Sequence, residues 1–473
     1  MKILFATSEA RPFAASGGLG DVAGSLPKAI RSKGVACRVV MPLYGDIPDD
    51  WRNQMTYLCN FSVPVGWRKQ YCGLFEYNHN GVIFYFLDNE YYFKRCGLYG
   101  FYDDAERFAF FSRAVLEMLW HIDFLPDILH CNDWQTALVP VYLDLFYRYH
   151  ERFSNIKSVF TIHNVQYQGK YGFELMEDVF GIPSYAKSLM QYDDCLNMMK
   201  AAVEVSAKVT TVSPTYAQEL LDPWYAHGLD REFCHHTYKM CGILNGIDYE
   251  TNNPETDEGL YANFSSRDLS GKAKNRDGLF WDCQLSNDDQ PLVGIVSRLV
   301  DHKGFDLVEY AFEGLVQNGF KFVVVGSGEY GYESFFQQMH ARYPDRVSVS
   351  IGFIPALAKK IYAGADMFLM PSKSEPCGLA QMISLRYGTI PIVRETGGLK
   401  DSIQDCSFGQ GNGFTFASYN ADDMANALYR ARELFQNKPA WESLMKYGMN
   451  CDFSWENSAQ KYIFLYQEIL GLK

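Results

Sequence analysis

The sequence lacks long hydrophobic runs, paired cysteines at metal-binding spacing and an excess of positive charge. No apolar stretch approaches the roughly 20 residues that a membrane span requires. The first residues, Met1–Ala6, lead directly into a polar segment instead of the apolar core of a secretory signal. We therefore expect a cytoplasmic protein with no membrane partner. In that compartment its 12 cysteines are expected to be reduced thiols rather than disulfides.

The charge balance argues against a second class of protein. The 473 residues include 43 basic and 56 acidic ones, which give a net charge of −13. Nucleic-acid binders rely on a basic surface, so no nucleic-acid partner is expected. The segment Cys234-His235-His236 with Cys241 lacks the paired spacing of a zinc site, and neither a metal nor a cofactor is predicted.

Short β-branched and aromatic runs alternate with amphipathic stretches along the whole chain, a pattern typical of parallel α/β layers. In the first half, strands are predicted at Lys2–Ala6, Cys37–Met41, Val82–Leu87, Asp127–His130, Ser158–Ile162 and Val209–Val212, and helices at Ala105–Trp120, Thr136–Tyr147 and Leu189–Ala207. In the second half, strands are predicted at Leu292–Ser297, Lys321–Val325, Val347–Ile351, Met367–Met370 and Ile390–Val393, and helices at Gly304–Asn318, Tyr330–Arg342, Ala356–Tyr362, Leu379–Tyr387 and Ala421–Phe435.

This repetition predicts an α/β fold of two Rossmann-like domains that face each other, with ligand at the carboxyl ends of the strands. A chain of this length also exceeds a single compact core. The turn signal Asn245-Gly246 places the expected boundary, so the domains are residues 1–245 and 246–454. Residues 455–473 are predicted to form a helix whose apolar stripe must pack against another element.

Two glycine-rich loops follow predicted strands. Gly18-Leu19-Gly20-Asp21-Val22-Ala23 and Gly326-Ser327-Gly328-Glu329-Tyr330-Gly331 both have the spacing that lets backbone N–H groups approach a phosphate at a helix N-terminus. A dehydrogenase is one interpretation, but neither following strand ends in the acidic residue that would bind a ribose. Tight turns without a ligand are the alternative for both loops.

Charged and polar side chains also follow strands. Arg298 and Lys303 come after an apolar strand, where a guanidinium and an ammonium can stabilise the charge of a departing diphosphate. Glu375 opens another such segment, where its carboxylate either complements a helix dipole or contacts a sugar. In the first half, Asp133 and His163 end neighbouring predicted strands.

Taken together, these segments resemble the glycogen synthase and starch synthase family of retaining glycosyltransferases, which have the two-domain GT-B fold. The motifs that carry the resemblance occur in family order: Ser16-Gly17-Gly18-Leu19-Gly20-Asp21-Val22, His130-Cys131-Asn132-Asp133-Trp134-Gln135, Thr161-Ile162-His163-Asn164, Asn245-Gly246-Ile247-Asp248, Ser297-Arg298-Leu299, Ser374-Glu375-Pro376-Cys377-Gly378-Leu379 and Thr396-Gly397-Gly398-Leu399. Any one motif is weak evidence of family, whereas the ordered set spans the chain and is specific.

The resemblance implies transfer of glucose from ADP-glucose, with UDP-glucose less favoured, to an α-1,4-glucan acceptor without a metal. It also implies that the tail helix crosses back onto the first domain. The residues it implies as catalytic are Arg298, Lys303, Glu375, His163 and Asp133. The residues predicted to bind substrate, which include two glycines of the second glycine-rich loop, are Gly17, Gly18, Asp21, Asn245, Gly326, Gly328, Cys377, Gly378, Leu379, Thr396 and Gly397.

The chain departs from the family at one position. The first motif usually reads K-x-G-G-L, whereas Ala15 stands here in place of the lysine. A catalytically inactive glucan-binding protein is therefore one alternative function, and a related GT-B transferase with another donor or acceptor is a second.

An aromatic-rich segment is expected either to hold the glucan or to pack in the core; its rings are Tyr91, Tyr92, Phe93, Tyr99 and Tyr102.

Overall fold

The structure, a computed structural model, describes residues 1–472. They divide into two compact units, one comprising residues 1–246 with the tail from Trp455 onward and the other Ile247–Ser454. Within the described residues, no helix is both long and apolar enough to cross a membrane.

The first unit is built on a nine-stranded sheet. Its strands, together with those of a small three-stranded sheet, are β1 (Lys2–Ala6), β2 (Ala36–Pro42), β3 (Thr56–Val65), β4 (Arg68–His79), β5 (Val82–Asp88), β6 (Ile128–Asn132), β7 (Lys157–Ile162), β8 (Lys170–Tyr171), β9 (Gln191–Tyr192), β10 (Cys195–Asn197), β11 (Lys208–Thr211) and β12 (Met240–Gly242). The order of the large sheet is β12-β11-β7-β6-β1-β2-β5-β4-β3, with β12 to β5 parallel and the β5-β4-β3 edge antiparallel.

Helices cover this sheet. They are α1 (Gly18–Ser32), α2 (Asp49–Arg52), α3 (Glu90–Phe93), α4 (Asp104–Glu117), α5 (Leu138–Tyr142), α6 (Leu175–Asp178), α7 (Lys187–Met190), α8 (Met198–Val205), α9 (Pro214–Glu219) and α10 (Asp230–His235). The central strand β1 is apolar and buried from Ile3 to Ala6, as expected for a parallel strand with both faces covered. Burial of Leu19, Val22 and Leu26 on one face holds α1 against the sheet.

The second unit is a six-stranded, fully parallel sheet of order β15-β14-β13-β16-β17-β18. Its strands are β13 (Leu292–Val296), β14 (Lys321–Gly326), β15 (Val347–Ile351), β16 (Met367–Met370), β17 (Ile390–Arg394) and β18 (Phe414–Phe416). Its helices are α11 (Ser270–Asp282), α12 (Phe305–Gln317), α13 (Tyr330–Arg342), α14 (Pro355–Gly364), α15 (Ala380–Arg386), α16 (Gly397–Ser402), α17 (Ala421–Gln436) and α18 (Lys438–Met449).

The tail helix, α19 (Trp455–Leu470), packs in the first unit beside α1. Its buried Tyr466 shares a 2.6 Å hydrogen bond with the buried Nδ1 of His130 on β6, and the Ser458 hydroxyl donates to the Leu244 carbonyl at 2.6 Å. Of the predicted apolar stripe, Tyr462, Leu465 and Tyr466 are buried, whereas Leu472 lies beyond the end of the helix and is exposed.

One predicted helix, Leu189–Ala207, is wrong over its first half. Helix α7 ends at Met190, residues 191–197 contain the short antiparallel strands β9 and β10, and helix resumes at Met198. Asp193 has a positive φ of 50°, which breaks a helix, and the Asn197 side chain caps α8 by accepting from the Lys200 N–H. The β3-β4 hairpin and α11 were not predicted, because their polar residues mask the periodicity.

Candidate active site

In the first unit, polar residues gather where parallel strands end. Asp133 directly follows β6 with a φ of 56°, an uncommon conformation that directs its carboxylate towards the end of β7. There Oδ1 accepts hydrogen bonds from the backbone N–H groups of His163 at 2.7 Å and Asn164 at 3.4 Å. Burial raises the pKa of Asp133 to about 7, against the lowering effect of those two bonds.

His163 is held in one tautomer. The Asn132 amide nitrogen donates to the Ala6 carbonyl, which leaves Asn132 Oδ1 as an acceptor 2.9 Å from His163 Nε2. The proton therefore sits on Nε2, and Nδ1 has a lone pair for a hydroxyl donor. Burial lowers the pKa of His163 to about 3, so the ring is neutral in the physiological range.

The structure adds Glu9, which was not among the predicted site residues. It is buried in the loop after β1, where its Oε2 accepts the backbone N–H groups of Ser16 and, at 3.2 Å, Gly17. Its charge also contributes to the raised pKa of Asp133. The sequence signal was available, since Glu9 lies three residues after an apolar strand.

The glycines of this loop have no packing role. A Cβ added at Gly17 or Gly18 would meet no heavy atom within 4 Å, and both residues are exposed. Glycine is therefore compatible with close approach of a ligand to the backbone here. Asp21, in the first turn of α1, accepts a 2.6 Å hydrogen bond from Arg11 Nε. Asn245 follows β12 at the same sheet edge, and its buried Oδ1 accepts no hydrogen bond from residues 1–472.

In the second unit, Lys303 and Glu375 form a close ion pair, with Nζ 2.6 Å from Oε2. The Ser372 hydroxyl donates to the same oxygen at 2.9 Å. Burial by itself would raise the pKa of Glu375, but the Lys303 charge and the two hydrogen bonds hold it below its ordinary value. Glu375 is thus an ionised carboxylate.

The strand order explains how these two residues meet. Lys303 follows β13 and Glu375 follows β16, and these strands are parallel neighbours. Gly304, at φ 76°, turns the chain after Lys303 so closely that a Cβ there would lie 2.1 Å from the Pro371 carbonyl oxygen. Arg298 is exposed at the end of β13, and its guanidinium makes no ion pair with any described residue.

The remaining glycines pack against backbone. A Cβ at Gly326 would lie 1.9 Å from the Ser297 oxygen, and one at Gly328 would lie 2.2 Å from the Leu299 oxygen. The Gly328 N–H donates to Glu333 at 2.7 Å, so this N–H already has a partner within the loop. A Cβ at Gly397 would lie 2.0 Å from the backbone carbonyl oxygen of Glu375.

The segment after Glu375 is held by its neighbours. Cys377 is buried, and a Cβ at Gly398 would lie 2.1 Å from its carbonyl oxygen. Gly378 has a positive φ of 71° and precedes Leu379 at the start of α15, while buried Thr396 precedes α16. The two loops therefore support each other around the carboxylate.

The chain is similar to known proteins over both of its units. Residues 2–233 match the family described as starch synthase catalytic domain, and residues 282–448 match glycosyl transferases group 1. The glycogen synthase of Clostridium acetobutylicum is 48% identical, with 99% of this chain and 100% of that protein covered. That of Alkaliphilus metalliredigens is 47% identical over 99% and 100% of the two chains.

The chain belongs to the glycogen synthase and starch synthase family. Among solved structures, the catalytic domain of starch synthase IV from Arabidopsis thaliana, bound to ADP and acarbose, matches with a TM-score of 0.90 at 35% identity, over 99% of both chains. A sucrose-phosphate synthase from Thermosynechococcus elongatus shares the fold, with a TM-score of 0.61 at 16% identity.

Membership in the glycogen synthase and starch synthase family confirms the predicted resemblance, the α/β GT-B fold class and glycosyltransferase activity. It replaces the dehydrogenase interpretation of the glycine loops.

The structure also shows a candidate site residue that sequence reasoning missed. Phe353 follows β15 and is 87% exposed, and the adjacent Gly352 N–H donates to the Gly326 oxygen at 2.9 Å.

Proposed function

We propose that the protein transfers glucose from ADP-glucose to the non-reducing end of an α-1,4-glucan, with retention of configuration. The observation that carries the proposal is the ion pair of partly buried Lys303 with buried Glu375, on a chain about 47% identical to glycogen synthases over its length. Exposed Arg298 follows the same strand that precedes Lys303. The starch synthase relative was solved with ADP and acarbose, which supports a nucleotide-sugar donor and a glucan acceptor here.

In the proposed reaction, the bond between the anomeric carbon and the diphosphate oxygen breaks while the acceptor 4-hydroxyl oxygen bonds to that carbon. The electron pair leaves with the diphosphate, and the hydroxyl proton passes to the departing phosphate. Arg298 and Lys303 are cations placed to stabilise that negative charge, which grows most in the transition state. Because Glu375 neutralises Lys303 in the free protein, substrate must share or replace that pairing.

His163 and Asp133 are proposed to contact the donor glucose. Nδ1 of the neutral His163 ring can accept a hydrogen bond from a sugar hydroxyl, since Nε2 is committed to Asn132. Asp133 has one oxygen committed to the backbone of His163 and Asn164, which leaves Oδ2 for a second hydroxyl. Both groups can orient a sugar without adding positive charge.

Phe353, an exposed ring at the carboxyl end of β15, is proposed to stack on the adenine. The domain of residues 1–245 is proposed to take the glucan and that of residues 246–454 the nucleotide-sugar, while residues 455–473 pack on the former. We propose a cytoplasmic location, with neither nucleic acid nor membrane as partner.

The proposal is tested by glucose incorporation into glycogen from ADP-glucose and UDP-glucose in parallel, with Lys303→Ala as the inactive control. Transfer that prefers ADP-glucose and collapses in the variant supports donor, reaction and site together. Preference for UDP-glucose would overturn the donor assignment alone. Glycogen binding by folded protein without transfer from either donor would support the inactive glucan-binding alternative that Ala15 raises.

A further inference from the structure

The loop between β1 and α1 holds a single cation. Residues 7–17 include one basic side chain, Arg11, while Ala15 occupies the position of the family's usual lysine. A nucleotide-sugar carries its negative charge on the diphosphate, so loss of the lysine would remove positive charge from the exposed glycine loop unless another side chain supplies it.

Backbone pairing closes the loop between positions 10 and 14 into a tight turn. Ala10 and Ala14 form an antiparallel bridge, in which the Ala10 N–H donates to Ala14 at 2.8 Å and the Ala14 N–H donates back at 3.1 Å. The Cα atoms of such a pair are about 5.5 Å apart. Because the pair is antiparallel, Arg11 and Ala15 lie on opposite sides of the bridge, each one residue away from it.

Both positions also face the same turn of α1. The Arg11 N–H donates to the Gly20 carbonyl at 3.0 Å, and the Ala15 Cβ would lie only 2.4 Å from a Cβ added at Gly20. A side chain at position 11 and a side chain at position 15 therefore start from either side of Gly20. The Arg11 side chain reaches the first turn of α1 through Asp21, and that turn begins at Gly18.

The Arg11 side chain is already oriented in this way. Its Nε donates to Asp21 Oδ1 at 2.6 Å, and the side chain is 56% exposed. In the described part of the chain the two terminal nitrogens of the guanidinium make no hydrogen bond, so they remain available to a ligand. A surface pair of this kind is worth little to stability by itself, and orientation of the guanidinium is the larger consequence.

The buried Glu9 explains why a cation is needed. Its carboxylate uses the N–H groups of Ser16 and Gly17, which would otherwise face an approaching phosphate. Anionic substrate thus meets a negative group beneath the loop. One nearby positive charge offsets that repulsion.

We propose that Arg11 is the donor-binding cation of this loop and supplies the positive charge that the usual lysine of the family motif would supply from position 15. Its terminal N–H groups bind a phosphate oxygen of the nucleotide-sugar, and Asp21 is a positioning residue that acts through Arg11. The inference rests on the proposed function, because it names a contact of the same donor.

The experiment compares the wild type with Arg11→Ala, Arg11→Lys, the double variant Arg11→Ala with Ala15→Lys, and Arg31→Ala. Arg31 is an exposed arginine in the last turn of the same helix and serves as the matched control. The measurements are KM and kcat with ADP-glucose, and the Kd of ADP by calorimetry at low and high salt.

Arg11→Ala is expected to raise both KM and the ADP Kd about tenfold, because it removes one charge-assisted contact to the donor, while kcat changes less than about threefold. Arg11→Lys and the double variant are expected to recover most of that loss. The wild-type Kd should weaken with salt more steeply than that of Arg11→Ala. Arg31→Ala is expected to behave as wild type.

The inference is overturned if Arg11→Ala binds ADP as tightly as Arg31→Ala does, or if lysine at position 15 restores nothing. Failure of the proposed function looks different. A wild type that transfers glucose from no nucleotide-sugar removes the proposed reaction, whereas the ADP Kd comparison still decides the role of Arg11. Absence of ADP binding in the wild type would overturn both.

Discussion

Lys303 Nζ lies 2.6 Å from Glu375 Oε2, and both side chains are largely buried at the carboxyl edge of one parallel sheet. A buried ion pair is poor evidence for stability, because desolvation offsets much of the attraction. Here each partner follows a different strand, and the exposed Arg298 lies at the end of the same strand that precedes Lys303. The pairing is therefore better explained as a preorganised binding group than as a structural link.

Lys303→Ala is expected to lower kcat by about 10²- to 10³-fold, since it removes a positive charge that acts mainly in the transition state. The measurement is steady-state turnover, with circular dichroism to verify the fold. Lys373→Ala is the matched control, because Lys373 is a partly buried lysine paired with Asp301 in the same region. Near-normal turnover in Lys303→Ala would remove its assigned role.

Glu375→Gln is expected to lower kcat by a similar factor, because the amide keeps the shape of the side chain and loses the charge that orients Lys303. Ser372→Ala, which removes only the 2.9 Å hydrogen bond to the same oxygen, is expected to lower kcat less than about tenfold. Turnover by both variants is measured at saturating donor. Equal, mild effects of the two substitutions would show that Glu375 only supports the local loop.

Asp133 predicts a pH dependence of stability. Its pKa in the folded protein is about 7, above the ordinary value of 3.8, so the folded state binds more protons between about pH 4 and 7. The contribution of this group is fully present below pH 4 and is lost as the pH rises through 7. At pH 8, Asp133→Asn should therefore have a free energy of unfolding about 1 kcal/mol or more above that of wild type, and it should unfold at a higher denaturant concentration. Its transfer activity should be reduced.

Chemical denaturation of both proteins at pH 5 and pH 8 checks this prediction. The difference between Asp133→Asn and wild type should be larger at pH 8 than at pH 5. An unchanged difference across that range would mean that Asp133 titrates at its ordinary pKa in the folded protein.

Tyr466→Phe is expected to destabilise the first unit by about 1–3 kcal/mol, because it leaves the buried Nδ1 of His130 without its partner. Phe464→Leu is the control on the same helix, since Phe464 is 53% exposed. Thermal unfolding followed by circular dichroism gives the comparison. Equal melting temperatures for the two variants would show that the tail helix is held by apolar burial alone.

Phe353→Ala is expected to raise KM for ADP-glucose about tenfold while kcat changes little, because base stacking on an exposed ring contributes to binding of donor and transition state alike. Phe408→Ala is the control, since Phe408 is also 87% exposed in the second unit. Kinetics at varied ADP-glucose concentration distinguish the two. A KM equal to that of the control would exclude stacking on Phe353.

Much of this protein could be predicted from its sequence, because parallel strands buried on both faces are local apolar runs. The strands Val347–Ile351 and Met367–Met370 and the helix Tyr330–Arg342 begin and end as predicted. The ordered motifs were enough to predict the family. The β3-β4 hairpin was missed because its outer face is polar and exposed, and residues 191–197 were misassigned because a single positive φ at Asp193 outweighs helical periodicity.

Tertiary structure alone decided which of the predicted polar residues touch. Sequence spacing leaves Lys303 and Glu375 72 residues apart, and only the pairing of β13 with β16 sets their 2.6 Å contact. Tertiary structure likewise places Glu9 under the glycine loop, and it places both Arg11 and Ala15 beside Gly20 of α1. Strand order and loop packing are long-range properties, fixed by burial of the whole sheet, and no local pattern of residues encodes them.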